Sequence, residues 1–231
     1  MNTNHPLIYL FSGLGADSSV FTNLSFLKNK KHKFIEWETP QTDNLEDYAL
    51  QLSSQIDTTK KVILIGVSFG GMLVSELSKH IQTEKVILIS SASTPKEIPF
   101  LYRLFGILKL YFFIPSFLLN RPNKLLSFAF GTTNKRYRKE ERQLYQIIRN
   151  SNPKFAKSFI KMILKWQQKE KSNRVITNSI FRIHGTNDLV IPFSTKRLNK
   201  NDFLIENGGH FMILTQKNEI NILIKEIIEK T

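Results

Sequence analysis

At 231 residues, with 33 Lys and Arg against 19 Asp and Glu, the chain carries a formal net charge of +14. It is long enough for one sizeable α/β domain with an elaboration, but short for two independent ones. It has no cysteine, which excludes disulfides and Cys-based metal or redox sites, and residues 1–6 show no secretory signal pattern, so a cytoplasmic location is expected.

The charge is unevenly spread: residues 95–173 hold 17 basic against 4 acidic residues, a net of +13, and the remainder nets +1. No zinc-ligand spacing, aromatic RNP-like strand or Gly-rich phosphate loop accompanies the excess, so no specific nucleic-acid partner is expected. Two readings stay open. The lysines form solvated helix faces, or they make a basic surface that draws anionic substrates or associates weakly with an anionic membrane face.

In chain order, Leu7-Ile8-Tyr9-Leu10-Phe11 is an apolar run that predicts a buried strand passing into the Gly-rich loop Ser12-Gly13-Leu14-Gly15-Ala16-Asp17. Ser18 or Ser19 is placed to cap a helix whose inward stripe is Val20, Phe21, Leu24 and Leu27. A second strand is predicted from Lys33 to Glu38, and Asn44 opens an amphipathic helix with Leu45, Tyr48, Leu52 and Ile56 on one face. Lys61-Val62-Ile63-Leu64-Ile65 reads as another buried strand. It leads into Gly66-Val67-Ser68-Phe69-Gly70-Gly71, after which Leu73, Leu77 and Ile81 recur at helical spacing. Lys85 to Ser91 is a further strand. Strands apolar on both faces, alternating with helices, predict a parallel sheet covered on both sides.

From 95 to 173 no convincing strand occurs, only helical segments punctuated by Pro99, Pro115, Pro122, Gly131 and Pro153. Nine of the 18 phenylalanines fall there, which predicts a helical cap with an apolar underside, inserted into a core made of 1–94 and 174–231. Ile98 to Leu119 is hydrophobic, but Arg103 and Lys109 lie inside it and Pro115 interrupts it, against a membrane span. Phe155, Phe159, Met162, Ile163 and Trp166 mark a later helix; singly each reads as core, and together they favour a substrate pocket. The α/β pattern resumes with a strand from Ser179 to Ile183 that runs into His184-Gly185-Thr186-Asn187-Asp188-Leu189-Val190-Ile191-Pro192. A short strand from Asp202 to Glu206 leads to Asn207-Gly208-Gly209-His210-Phe211, and Ile220, Leu223, Ile224, Ile227 and Ile228 form the apolar face of a closing helix.

A serine hydroxyl is a poor nucleophile at neutral pH and needs a base within hydrogen-bond reach, itself oriented by an acid. Ser68, Asp188 and His210 each follow a strand, and in a parallel sheet such turns share one edge. His184 competes as base but precedes Gly185 directly at a strand end. His5, His32 and His80 lie in a terminus, a Lys-rich loop and a helix tail, where they read as solvated. His210 is the best base.

The G-x-S-x-G turn around Ser68 resembles the nucleophile elbow of the α/β-hydrolases. His184 to Pro192 looks like that family's H-G-x-x-D-x-x-x-P segment, and Gly208-Gly209-His210 is similar to its G-G-H turn; the order Ser, Asp, His also matches. The resemblance implies the α/β-hydrolase fold: a mostly parallel sheet flanked by helices, with an inserted helical cap. It implies a triad of Ser68, Asp188 and His210, with the backbone N–H groups of Phe69 and Leu14 as oxyanion donors. Many relatives begin the first loop with His-Gly, where this chain has Ser12. A serine at the elbow excludes the aspartate chemistry of the dehalogenase and epoxide hydrolase relatives, and the serine mechanism requires no cofactor and no metal. The expected reaction is hydrolysis of a small-molecule carboxylic ester with an apolar acyl group. The alternatives are a thioesterase or lipase-like hydrolase acting on an anionic carrier or lipid, and a non-catalytic ligand-binding relative.

Overall fold

A computed structural model describes residues 5–113, 115, 118–167, 180–194 and 198–230. Six strands form one sheet: β1 (Leu7–Phe11), β2 (His32–Phe34), β3 (Val62–Val67), β4 (Lys85–Ile89), β5 (Ile180–Gly185) and β6 (Asp202–Ile205), in the order β2-β1-β3-β4-β5-β6. Every pairing is parallel. The chain steps outward from β1 to β2 and then crosses back to β3, so the strand order reverses between β1 and β3. A parallel sheet leaves its ligand crevice at that reversal, at the carboxyl ends of the strands.

The α-helices among the described residues are α1 (Leu45–Leu52), α2 (Phe69–Leu77), α3 (Phe100–Ile107), α4 (Lys124–Ala129), α5 (Arg138–Asn150), α6 (Pro153–Lys165), α7 (Met212–Thr215) and α8 (Lys217–Glu229). Period-2 alternation sorts the strand side chains onto two faces. Ile8, Leu10, Ile63, Ile65, Ile87 and Ile89 bury one face against α7 and α8, through Met212, Ile220, Ile224 and Ile227. Tyr9, Phe11, Val62, Leu64, Val86 and Leu88 bury the other against α1, α2 and α6. Among the described residues no helix is long and apolar enough to cross a membrane.

Several local expectations are corrected. The helix expected after the first loop is two 3-10 turns, Ser18–Phe21 and Ser25–Asn29. Its cap is Asp17, not Ser18 or Ser19, because the Asp17 carboxylate accepts the Ser19 N–H at 2.9 Å. The second strand is shorter and earlier than predicted: after the Ile35 N–H donates to Leu10 O the chain leaves the sheet, and Trp37 Nε1 donates to Ala16 O at 2.7 Å. Asn44 caps α1 as expected, its side chain accepting the Asp47 N–H.

Between β4 and β5 the described residues form only helices and turns. The expected boundary at 173 and 174, and Ser179, lie outside the described residues. The aromatic group expected to line a pocket divides instead. Phe159 is fully buried in the core, its ring 4.6 Å from that of Phe69, and Met162 and Trp166 pack into the same cluster with Phe155 at its margin. Trp166 Nε1 donates to the buried Glu76 at 2.7 Å, pinning the end of α6 to α2. Phe105 and Phe130 line a cavity, whereas Phe100, Phe112, Phe113 and Phe128 face solvent; Phe117 lies outside the described residues.

Two buried cations tie the chain together. Arg182 donates to both carboxylate oxygens of Asp202, at 2.6 and 2.5 Å, and lies 3.2 Å from Glu97, joining β5, β6 and the start of the helical segment. The Lys85 ammonium donates to the carbonyls of Ile227 and Ile228 at 2.8 and 3.0 Å, and to that of Lys230. These are the C-terminal carbonyls of α8, which have no acceptor role inside the helix and favour a cation. Replacing Lys85 with Met is expected to cost about 1–3 kcal/mol, read as a lower urea midpoint at unchanged m-value.

Candidate active site

Ser68 stands between β3 and α2 with φ 51° and ψ −118°, outside the region that side-chain-bearing residues favour. The turn is tight enough that only glycine fits two residues before and two residues after the serine. A Cβ on Gly66 would sit 2.4 Å from the Gly70 carbonyl oxygen, and one on Gly70 would sit 2.3 Å from the carbonyl oxygens of both Phe11 and Ser12. The Ser68 N–H donates to Ile89 O at 2.9 Å, and Ser91 Oγ donates to Ser68 O at 2.6 Å.

His210 Nε2 lies 2.9 Å from Ser68 Oγ, and its Nδ1 lies 2.8 Å from Asp188 Oδ2. A carboxylate can only accept, so Nδ1 carries the imidazole proton and Nε2 is left to accept from the serine hydroxyl. The sequence-predicted Ser68, Asp188 and His210 are therefore brought into one hydrogen-bonded chain. His210 and Asp188 are each 3% exposed, and Ser68 is half-buried.

Asp188 is held from four directions. Oδ1 accepts the N–H groups of Val190 and Ile191, each at 2.9 Å, and Oδ2 accepts from His210 and lies 3.3 Å from His184 Nε2. His184 Nε2 also donates to Ile191 O at 2.7 Å. The rival base thus sits behind the acid rather than over Ser68. Burial pushes the Asp188 carboxyl up, but the His210 charge and the hydrogen bonds from His184 and His210 outweigh it and hold the group well below the usual carboxylate range.

The loop after β1 reaches the same place. A Cβ on Gly13 would lie 3.6 Å from Ser68 Cβ, and Leu14 lines a cavity together with Ser68 and His210. Ser12 donates its Oγ to Ala16 O at 2.7 Å and closes the loop on itself. Phe69 is the first residue of α2, so its N–H has no acceptor within the helix. Its ring is buried in the core against Phe159.

The cavity measures about 640 Å³. Its walls are apolar, with Phe105, Leu126, Phe130, Ile163 and Ile213 among them, and Ser68 and His210 are polar groups that open into it. The segment between β4 and β5 meets the His210 turn main chain to main chain. Gly131, at φ 75°, has no room for a side chain because its Cβ would come 2.9 Å from Gly209 Cα. Phe211 N–H donates to Phe130 O at 3.1 Å, and the Phe130 ring stands edge-on to His210 with centroids 5.0 Å apart. Among the described residues no cluster of three or more His, Asp and Glu side chains is placed to hold a metal ion.

Ser91 and Phe130 are not singled out by sequence as parts of the site, whereas His184 is weighed as a base and Ser12 noted as a departure in the first loop. Ser91 closes an apolar strand and so had a positional signal. Phe130 had none.

Because the folded-state value of Asp188 is depressed, its ionisation stabilises the native state above the unfolded value near pH 4 and that contribution is lost as pH falls below it. In an Asp188→Asn variant the slope of unfolding free energy against pH on the acid side should fall by up to about one proton per molecule, measured by urea midpoints across that range.

No protein-family model and no curated protein matches this chain. Solved structures do. A thermophilic esterase from Thermogutta terrifontis aligns at a TM-score of 0.73 and 14% identity, over 97% of this chain and 90% of that one. The enol-lactonase of Burkholderia xenovorans LB400 aligns at 0.70 and 16%, over 98% and 92%. A meta-cleavage product hydrolase from Pseudomonas fluorescens IP01 aligns at 0.65 and 18%, over 97% and 91%. With its parallel sheet, flanking helices and near-complete alignment to these hydrolases, the chain has the α/β-hydrolase fold.

Proposed function

We propose that this protein is a serine hydrolase that cleaves carboxylic esters with an apolar acyl group. The observation that carries the reading is the Asp188–His210–Ser68 hydrogen-bonded chain opening into an apolar cavity of about 640 Å³. The similar structures include an esterase and an enol-lactonase, which supports ester chemistry.

In this mechanism His210 Nε2 takes the Ser68 proton as Oγ attacks the ester carbonyl carbon, and Asp188 stabilises the imidazolium that forms. The tetrahedral oxyanion takes hydrogen bonds from the backbone N–H groups of Phe69 and Leu14, aided by the positive end of α2. Collapse expels the alcohol, which takes the proton from His210, and leaves an acyl group on Oγ. Water deprotonated by His210 then attacks the acyl-enzyme, and the acid leaves with Ser68 regenerated. Residues 95–173 act as a cap over a core of 1–94 and 174–231, their cavity-facing side chains receiving the acyl chain.

A second reading is favoured by the +13 net charge of residues 95–173: a thioesterase or lipase-like enzyme acting on an anionic carrier or lipid. It predicts that replacing several of those lysines raises KM for anionic substrates and spares neutral ones.

The direct test is turnover of chromogenic esters of increasing acyl length by wild type beside Ser68→Ala. Loss of at least about a thousandfold in the variant supports the triad. Failure of wild type on esters, thioesters and carbon–carbon substrates alike would leave a ligand-binding protein. Leu126→Trp, which fills the cavity, should shift the optimum to shorter acyl groups, with roughly tenfold loss in kcat/KM per excluded methylene.

A further inference from the structure

Helix α3 is apolar where a surface helix is normally polar. At 100° per residue, Tyr102, Phe105 and Gly106 share one arc, and this is the arc turned inward: Tyr102 and Phe105 line the cavity and Gly106 lies against the Leu164 backbone of α6, with room for no side chain. The opposite arc carries Phe100, Leu101, Leu104, Ile107 and Leu108, all facing solvent. Leu101 and Ile107 are 73% and 74% exposed. Further exposed apolar side chains belong to the same helical segment. Phe113 beyond α3 is 82% exposed, and on α4, which also walls the cavity, Leu125 is 75% exposed. Exposed apolar side chains this dense on one helix face mark a surface that something covers.

Charge selects what covers it. Arg103, Lys109 and Lys124 are exposed within the same stretch, and the whole segment 95–173 nets +13. A second copy of this chain would bring an equally basic face against it, and like charges juxtaposed across an apolar contact oppose association. An anionic bilayer supplies both what the aromatic and aliphatic side chains need and what the cations need. We propose that the outer face of α3, with Phe113 and α4, docks on an anionic lipid surface, the apolar side chains entering the headgroup boundary and Arg103, Lys109 and Lys124 lying against lipid phosphates. Both helices also line the cavity, so docking brings the bilayer beside it. The docking does not rest on the hydrolase reading, since it is read without turnover.

The test is flotation of the full chain with vesicles of phosphatidylcholine alone and of phosphatidylcholine mixed with phosphatidylglycerol, at low and high salt. The expected result is partitioning at least about tenfold stronger onto the anionic vesicles, weakened by salt. An Ile107→Ser, Phe113→Ser double variant changes side chains that face solvent, so its urea midpoint should match wild type, while its vesicle partitioning falls by about tenfold or more. An Arg103→Glu, Lys109→Glu variant should lose the preference for phosphatidylglycerol. Equal partitioning onto both vesicle types, or wild-type partitioning by the double serine variant, overturns the proposal. So does a wild-type dimer in sedimentation equilibrium that the serine substitutions dissociate, which would assign the face to a second copy.

Discussion

The closeness of α2 to the ends of β1 and β3 is the constraint on which the rest of the molecule depends. Gly70 passes so near the Phe11 and Ser12 carbonyls, and Gly66 so near Gly70, that any side chain at either position would force the helix away from the sheet. That approach drives Ser68 into a backbone conformation costing on the order of 1–3 kcal/mol, which persists only because its surroundings over-determine it. They do so here with a sheet buried on both faces, a bond from the Ser68 N–H to β4 and a bond from Ser91 to the Ser68 carbonyl. The strain has a geometric product: the hydroxyl stands clear of the sheet edge, beside the first loop and the start of α2.

The second constraint is electrostatic. A carboxylate as buried as Asp188 would be expensive to ionise without compensation. Two backbone N–H groups and two imidazoles supply it, and because they come from the turn of Asp188 itself, from β5 and from the His210 loop, they also fix the relative placement of those pieces. His184 is the instructive member. It lies at a strand end, buried, with Nε2 shared between a carbonyl and the carboxylate, so it orients the acid and cannot reach the serine.

How much of this was legible in the sequence depended on how narrowly each position restricts residue type. The turns around Ser68, Asp188 and His210 need glycines, a carboxylate and an imidazole at fixed offsets, and the sheet needs unbroken apolar runs; these were readable, and the parallel order followed. The second strand was misjudged because its end is set by Trp37 reaching a distant carbonyl, a tertiary event with no local mark. The phenylalanines of residues 95–173 were legible as a concentration but not as a distribution. Helical periodicity tells which side chains share a face, not whether that face meets the core, as with Phe159, a cavity, as with Phe105, or solvent, as with Phe113. The role of Ser12 was hidden because a hydroxyl closing a loop leaves no pattern.

The main-chain contact between Gly131 and Gly209 ties the end of α4 to the His210 turn. Where backbone touches backbone, with Phe211 bonded to Phe130, residues 130–131 cannot shift without carrying the His210 turn with them. Helix α3 has a close contact of its own, Gly106 against the Leu164 backbone of α6, away from the His210 turn. The two glycine contacts therefore hold different things: Gly131 ties its segment to the loop that carries the His210 imidazole, whereas Gly106 ties α3 to α6 and leaves the outward side chains of α3 free to vary in sequence.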